Sequence, residues 1–83
     1  MIVVNNDNNI VIGYSHIKIE VNSEGHIICW NDNDTWYGLA GFDNYTIYEE
    51  QSLYPPSLDK MWFYIDGSFI EFQPEPAQKP DGL

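Results

Sequence analysis

The fold class is decided by residues 61–72, Met-Trp-Phe-Tyr-Ile-Asp-Gly-Ser-Phe-Ile-Glu-Phe. Two runs of aromatic and β-branched residues, the types that favour strands, flank the dipeptide Asp66-Gly67. Asp-Gly is a preferred pair for a two-residue type I′ turn, because both central positions of that turn need a positive φ. The stretch therefore predicts an antiparallel β-hairpin.

Short apolar runs separated by turn residues continue towards the N-terminus. Residues 2–4 and 10–12 flank an Asn- and Asp-rich cluster and predict a first hairpin. Residues 17–21 alternate apolar and charged side chains, as a half-buried strand does, and residues 26–30 form its return strand. No long stretch has a helical period, so the most helix we expect is one turn within residues 48–53.

These patterns predict an all-β fold. We expect a small antiparallel sheet of five to seven short strands, strongly twisted or rolled into a partial barrel or sandwich. Residues 1–72 should form a single β domain, and residues 73–83, with three prolines, an extended C-terminal tail. The predicted core residues are Val3, Ile10, Ile12, Ile17, Ile19, Val21, Ile28, Trp30, Ile47, Trp62, Tyr64, Phe69 and Ile70.

The charge balance restricts the class of partner. Thirteen carboxylates face three lysines and no arginine, which gives 83 residues a formal charge of −10. Such a chain is repelled by nucleic acid and by anionic membranes, and it cannot assemble the basic patch that phosphate binding needs. Because no basic and apolar N-terminal signal is seen, we do not expect secretion by a signal peptide.

The single cysteine and the two histidines do not suggest a reactive or metal site. Cys29 lies in the apolar run 27–30 and is interpreted as a small buried hydrophobic residue. His16 and His26 do not have the spacing of zinc ligands. Ser15 precedes His16 directly, and neighbours on a strand point to opposite faces, so they cannot act as a nucleophile and its base.

A calcium loop is also not supported. Asp32 and Asp34 alternate as calcium ligands do. The sixth and twelfth residues counted from Asp32 are Tyr37 and Asp43, whereas an EF-hand needs a glycine and a glutamate at these positions. We therefore expect no catalytic residue, no metal and no cofactor.

The mixture of aromatic and acidic residues suggests a protein-binding face. A short chain has a thin core that cannot hold all its aromatic residues, and Tyr and Trp are enriched at interfaces. The alternative is that these residues cover the two sides of a sheet. The candidate partner-binding residues are Trp36, Tyr37, Tyr45, Tyr48, Glu49, Glu50 and Tyr54.

Both ends of the chain resemble a group of phage proteins. The opening hairpin of residues 2–14 and the aromatic hairpin with its following proline, residues 62–74, are similar to those of small uncharacterised proteins encoded near phage tail and baseplate genes. Residues 15–55 have no counterpart in this resemblance. It implies no catalytic residues, and it implies location in a virion or in the host cytoplasm.

Two functions follow from the resemblance. The first is a virion or tail structural component or assembly accessory, which binds a phage structural protein or further copies of itself. The alternative is an acidic inhibitor of a host defence or DNA-processing protein. Such an inhibitor mimics the charge of DNA and occupies a basic cleft, and electrostatic steering speeds its association.

Overall fold

The computed structural model describes residues 1–73, which contain eight strands and no helix. The all-β prediction is confirmed, with one strand more than the predicted maximum of seven. The predicted tail lies outside the described residues except for its first residue. The strands are β1 Ile2–Asn5, β2 Ile10–Tyr14, β3 Ile19–Val21, β4 Ile27–Trp30, β5 Trp36–Leu39, β6 Tyr45–Tyr48, β7 Trp62–Ile65 and β8 Ser68–Glu71.

The strands form two open antiparallel sheets. The larger sheet has the order β6-β1-β2-β7-β8 and the smaller one β3-β4-β5. The first, second and last predicted hairpins are confirmed as the pairs β1–β2, β3–β4 and β7–β8. The single turn of helix expected within residues 48–53 is instead a turn in which the Leu53 N–H donates to the Glu50 carbonyl at 3.0 Å.

Local side-chain chemistry forms the hairpin turns. Asp66 and Gly67 have φ angles of 51° and 81°, as the predicted type I′ turn requires. In the β3–β4 turn the Asn22 carboxamide oxygen accepts hydrogen bonds from the N–H groups of Glu24 and His26, at 3.0 and 2.9 Å. These contacts satisfy backbone groups that the strands leave unpaired.

The two sheets pack together through a small core around Val3, Ile27 and Cys29, which are fully buried. Gly13 lies opposite Val3 in the β1–β2 ladder, next to a bulge. A Cβ atom on Gly13 would lie 2.8 Å from the Cys29 Sγ and 3.0 Å from Leu39 Cδ1. The absence of a side chain at Gly13 therefore sets how closely the sheets approach.

The larger sheet curls so that its last two strands, which we call the arm, fold over one of its faces. The ring of Tyr48 on β6 lies 5.0 Å from that of Tyr64 on β7, although two strands separate β6 from β7. Ile2 is paired with Tyr48 and faces the same way, as does Val4. Strand β1 is buried on both faces: Val3 lies in the core between the two sheets, and Ile2 and Val4 lie on the side of Tyr48 and Tyr64.

Three predicted core residues are wrong. Ile17 is 38% exposed because it lies in a bend before β3, so the strand predicted over residues 17–21 begins only at Ile19. Val21 is 45% exposed at the end of this three-residue edge strand. Ile70 is 49% exposed, because it lies on the edge strand β8 and faces away from Tyr48. An alternating pattern identifies which residues share a face, but it does not show whether another layer covers that face.

Other core predictions hold wholly or in part, and some buried residues were missed. Val3 and Ile28 are buried as predicted. Ile2, Val4 and Ile27 are buried too, although the alternation left them on the other faces of their strands. The remaining predicted core residues are half-buried, and they are Ile10, Ile12, Ile19, Trp30, Ile47, Trp62, Tyr64 and Phe69.

Candidate functional site

Two exposed apolar surfaces are the most distinctive features of residues 1–73. Over this range there is no enclosed pocket, and no group of three His, Cys, Asp or Glu side chains comes together as metal ligands would. The described residues also include no helix of the length and apolar character needed to cross a membrane.

The first surface, the tryptophan face, is the outer side of the smaller sheet. Alternation directs Ile27 and Cys29 inwards, so Ile28 and Trp30 face outwards, together with Trp36 on the neighbouring strand. Trp30 and Trp36 are paired across the strands, with ring centroids 6.3 Å apart and planes inclined by 54°. Trp36 is 52% exposed.

Neighbouring groups fix both indoles of the tryptophan face. Trp36 lies over Gly38, where a Cβ atom would be at an ordinary contact distance of 3.7 Å from the Trp36 ring. The Trp30 indole N–H donates to a carboxylate oxygen of Glu20 at 3.0 Å. The Lys18 ammonium lies 4.8 Å from the centroid of the Trp30 ring, within the range of a cation–π contact. The surface is therefore largely formed before any partner arrives.

Carboxylates form one rim of the tryptophan face. Asp32 and Asp34 lie in the loop that joins the strands of Trp30 and Trp36. One oxygen of Asp32 accepts hydrogen bonds from the N–H groups of Asp34 and Thr35, both at 2.8 Å. Because these bonds favour the charged form, they lower the pKa of the Asp32 carboxyl below its usual value. This rim is negative at neutral pH.

Of the five candidate aromatic residues, Trp36 is the most exposed, at 52%, and Tyr37 faces inwards. The Tyr14 N–H donates to the Tyr37 hydroxyl at 3.1 Å, and that hydroxyl lies 3.3 Å from the Tyr14 carbonyl oxygen, to which it donates. Burial raises the pKa of Tyr37 far above its usual value. Tyr37 therefore links the smaller sheet to β2.

The other candidate aromatic residues lie in separate places. Tyr45 packs against the core cluster, and Tyr48 contacts Tyr64 under the arm. Tyr54 stacks on the His16 ring, with centroids 3.6 Å apart, and burial raises the pKa of its phenol. None of the ring contacts within residues 1–73 joins two of the five candidate aromatic residues.

Glu49 and Glu50 are exposed directly after β6. The neighbouring Gln51 side chain donates to the His16 carbonyl at 3.0 Å and so ties this loop to the segment before β3. The side-chain carboxylates of the two glutamates make no described hydrogen bond or ion pair within residues 1–73. Their carboxylates are thus available to a partner.

The second surface is the outer side of the arm, and sequence reasoning missed it. This arm face consists of Met61, Phe63, Ile65, Ile70 and Phe72. Phe63 is paired with Ile70, and the rings of Phe63 and Phe72 lie 5.3 Å apart. Met61 and Ile65 are 52% and 36% exposed. All five side chains are uncharged.

A signal for the arm face was present in the sequence. Residues 61–65 are apolar or aromatic without interruption, a pattern typical of strands that are buried on both faces. The core prediction included Trp62 and Tyr64, on the inner side, and also Ile70, on the outer side. Separating the two sides by their alternation would have identified the outer one.

Comparison with known proteins yields no relative. No protein-family model matches the chain, and no curated protein or solved structure is significantly similar to it.

Proposed function

We propose that this chain is a non-enzymatic protein-binding domain, a virion or tail component or assembly accessory of a phage, which contacts its partner through the tryptophan face. The observation that carries the proposal is Trp36, which is 52% exposed on a formed aromatic surface with an ionised rim. The phage context rests on the resemblance of the two ends of the chain.

The composition of the tryptophan face is that of a binding hot spot. Tryptophan is among the residues whose truncation most weakens protein complexes, and hot spots lie in an apolar centre that a polar rim surrounds. Trp36 supplies the centre, while Glu20 and Asp32 lie at the rim. Because Trp30 and Trp36 are already held in place, binding does not have to order them, which favours affinity.

The charge of the chain selects the chemistry of the partner. With a formal charge of −10, the chain repels other acidic proteins and attracts those with lysine- or arginine-rich surfaces. A partner whose basic groups surround an apolar patch would match both the centre and the rim. Such association is fast at low ionic strength and weakens as salt is added.

The second candidate function, an inhibitor that occupies a basic cleft, is favoured by the net charge. The distribution of carboxylates within residues 1–73 gives it less support. Only Glu20 and Glu71 lie on strands, whereas the other described carboxylates are in turns and loops. A mimic of DNA would present its charges in a row along one face.

The proposed function is tested by finding where the chain occurs, in phage particles or bound to a host protein, and by measuring how Trp36→Ala changes its incorporation into particles. Mass spectrometry of purified phage particles should detect the chain, and an affinity-tagged Trp36→Ala chain should be incorporated at least about 30-fold less, as expected for a hot-spot residue. Recovery with a single basic host protein instead would support the inhibitor. Absence from both places would exclude both functions.

Two further variants locate the contact. Leu58→Ala is the matched control, because Leu58 is 55% exposed but lies on a loop outside the tryptophan face. It should leave incorporation unchanged. Replacing Glu49 and Glu50 with lysine tests the predicted acidic loop separately. If incorporation falls by more than about tenfold in this variant and not in Trp36→Ala, the partner contacts the acidic loop instead of the tryptophan face.

A further inference from the structure

Strand β5 is an edge of the smaller sheet, and within residues 1–73 it pairs with β4 alone. Hydrogen bonds join alternate residue pairs of two antiparallel strands. The Asn31 N–H donates to the Thr35 carbonyl at 2.8 Å, whereas the Trp30 N–H, opposite Trp36, donates to the segment before β3 at 3.1 Å. Counting in twos from this bonded pair, the N–H and C=O groups of Trp36 and Gly38 point away from β4, towards the open edge.

These backbone groups are accessible. Trp36 and Gly38 are both exposed, and neither takes part in any backbone hydrogen bond outside the strand pairs of residues 1–73. Two N–H donors and two C=O acceptors therefore lie along the free side of β5. Such a row of backbone groups is a template on which another strand can pair.

The other three edges of the two sheets are less suited to receive a strand. Edge β3 has only three residues, and the middle one is the charged Glu20. On edge β8, Glu71 forms an ion pair with Lys60 at 2.9 Å. Edge β6 has no exposed residue. Only β5 combines exposed residues with the absence of charge and proline, the features that protect sheet edges from pairing.

We propose that β5 accepts an extended segment of the partner as an added antiparallel strand, and that arginine or lysine side chains of this segment lie on Trp36. The proposal rests on the proposed function, because it concerns the same tryptophan face and the same partner. Antiparallel addition follows the pairing of every strand in both sheets. Opposite residues of such a pair share a face, so the residue opposite Trp36 lies on the tryptophan face.

Charge complementarity argues for a basic segment. The loop of residues 31–35, with its two carboxylates, leads directly into Trp36. The same face already holds a cation on an indole, since the Lys18 ammonium lies 4.8 Å from the Trp30 ring and 3.9 Å from a Glu20 carboxylate oxygen. A basic side chain on Trp36, next to the carboxylates of the loop, would repeat this arrangement. Adding a strand to a sheet edge combines backbone bonds for affinity with side-chain contacts for specificity.

A short synthetic peptide with blocked ends, Thr-Arg-Thr-Arg-Thr-Arg-Thr, serves as the probe. Threonine favours strands, and alternation places all the arginines on one face. Nuclear magnetic resonance of the isotope-labelled chain, titrated with up to about 1 mM peptide, should show the largest shifts at the amides of Trp36 and Gly38. A matched peptide with glutamate in place of arginine should bind at least about tenfold more weakly.

Methylation of alternate peptide nitrogens tests the backbone contact itself. In the proposed pairing, the arginines that face outwards with Trp36 also direct their N–H groups at β5, whereas the threonine N–H groups point away. Methylating the arginine nitrogens should therefore weaken binding at least about tenfold, and methylating the threonine nitrogens should change it by less than about twofold. The two peptides carry the same charge, so a purely electrostatic association would not distinguish them.

Two variants at one position test the same contact from the side of the chain. Gly38→Pro removes an N–H group that faces the open edge, where proline is tolerated, and should weaken peptide binding at least about tenfold. Gly38→Ala is the matched control, because a Cβ atom at Gly38 has its nearest neighbour at an ordinary 3.5 Å. It should change binding by less than about twofold.

Several results would overturn the proposal. They are the absence of binding, equal binding of the two methylated peptides, and shifts confined to another edge or to the loop of Glu49 and Glu50. If Trp36→Ala impairs incorporation into particles but the peptide does not bind, the proposed function stands and the added strand is wrong. If the peptide binds as predicted but the chain occurs neither in particles nor with a host protein, the added strand stands and the proposed function is wrong.

Discussion

At the scale of single residues, Gly13 controls how closely the two sheets pack. Gly13→Ala would place a Cβ atom 2.8 Å from the buried Cys29 Sγ, so the sheets must separate or a side chain must move. We expect the free energy of unfolding to fall by about 1–3 kcal/mol, as for overpacked cores. Urea denaturation followed by tryptophan fluorescence measures this change.

A double variant tests the cause of that loss. The double variant Gly13→Ala, Cys29→Ala lacks the sulfur that collides with the new methyl group. Its loss in free energy of unfolding should therefore be at least about 0.5 kcal/mol smaller than the sum of the losses in the two single variants. Gly38→Ala is the control, because a Cβ atom there has its nearest neighbour at an ordinary 3.5 Å. An equal loss for Gly13→Ala and Gly38→Ala would contradict the packing explanation.

Some of this residue-scale behaviour could be predicted from the sequence. The apolar run around Cys29 correctly indicated a buried thiol, and burial raises its pKa. The inward position of Tyr37 could not be predicted, because its hydroxyl is bonded to Tyr14, which is 23 residues away in the chain. A tyrosine that supports a core and one that binds a partner look the same in a single sequence.

At the scale of elements, Asp32 stabilises the β4–β5 turn in its charged form. The pKa of Asp32 is lowered in the folded chain, so the charged carboxylate stabilises the fold fully at pH values above the ordinary pKa of 3.8. This stabilisation is lost as the pH falls below that value. Asp32→Ala should therefore have a lower Tm than the unaltered chain above about pH 5, and the difference should shrink as the pH falls below 3.8.

The amide variant separates the charge from the hydrogen bond. Asp32→Asn keeps a side-chain oxygen that can accept from Asp34 and Thr35, so it should retain most of the turn and show a flatter dependence of Tm on pH. Thermal unfolding followed by circular dichroism between about pH 2.5 and 7 gives all three curves. A constant difference between Asp32→Ala and the unaltered chain down to pH 2.5 would exclude the ionised carboxylate as the stabilising group.

Hairpins were the elements that could be predicted best, because their signals are local. Asn22 and Asp32 bond to backbone groups two to four residues away, and Asp66-Gly67 adopts positive φ within the turn itself. The pairing of β6 with β1 joins residues 40 to 46 positions apart. Turn chemistry contains no information about such a pairing, which depends on how the complete set of apolar faces is buried.

At the scale of the whole molecule, layer packing determined which residues are buried and which are exposed. The sequence predicted alternating faces correctly in β3, yet Val21 is exposed because no layer extends over it. The candidate binding residues were similarly chosen by type, and the structure distributes them among the core, the arm contact and two surfaces. The exposure of Trp36 could be predicted from its residue type. The arm face could not, because its exposure depends on how the strands are arranged in layers.

The same layering predicts a gradient of stability across the molecule. Strand β1 has four paired residues with each of its neighbours, whereas β2 and β7 share the single pair Ile10–Phe63 and one further backbone bond, from the Tyr64 N–H to the Asn9 carbonyl at 2.8 Å. Few contacts thus connect the arm to the rest of the sheet. Amide hydrogen exchange should be slowest in β1 and faster in β7 and β8, through openings smaller than global unfolding.

Tyr48→Ala tests whether the ring contact under the arm holds it closed. An edge-to-face aromatic pair contributes about 0.5–1.5 kcal/mol, so its removal should speed amide exchange in β7 and β8 by roughly two- to tenfold. Exchange in β3–β5 should not change, because Tyr48 faces away from the smaller sheet. Tyr54→Ala is the control, since Tyr54 stacks on His16 and makes no described ring contact with the arm. Faster exchange throughout the chain in Tyr48→Ala would show instead that the arm and the two-sheet core unfold as one cooperative unit.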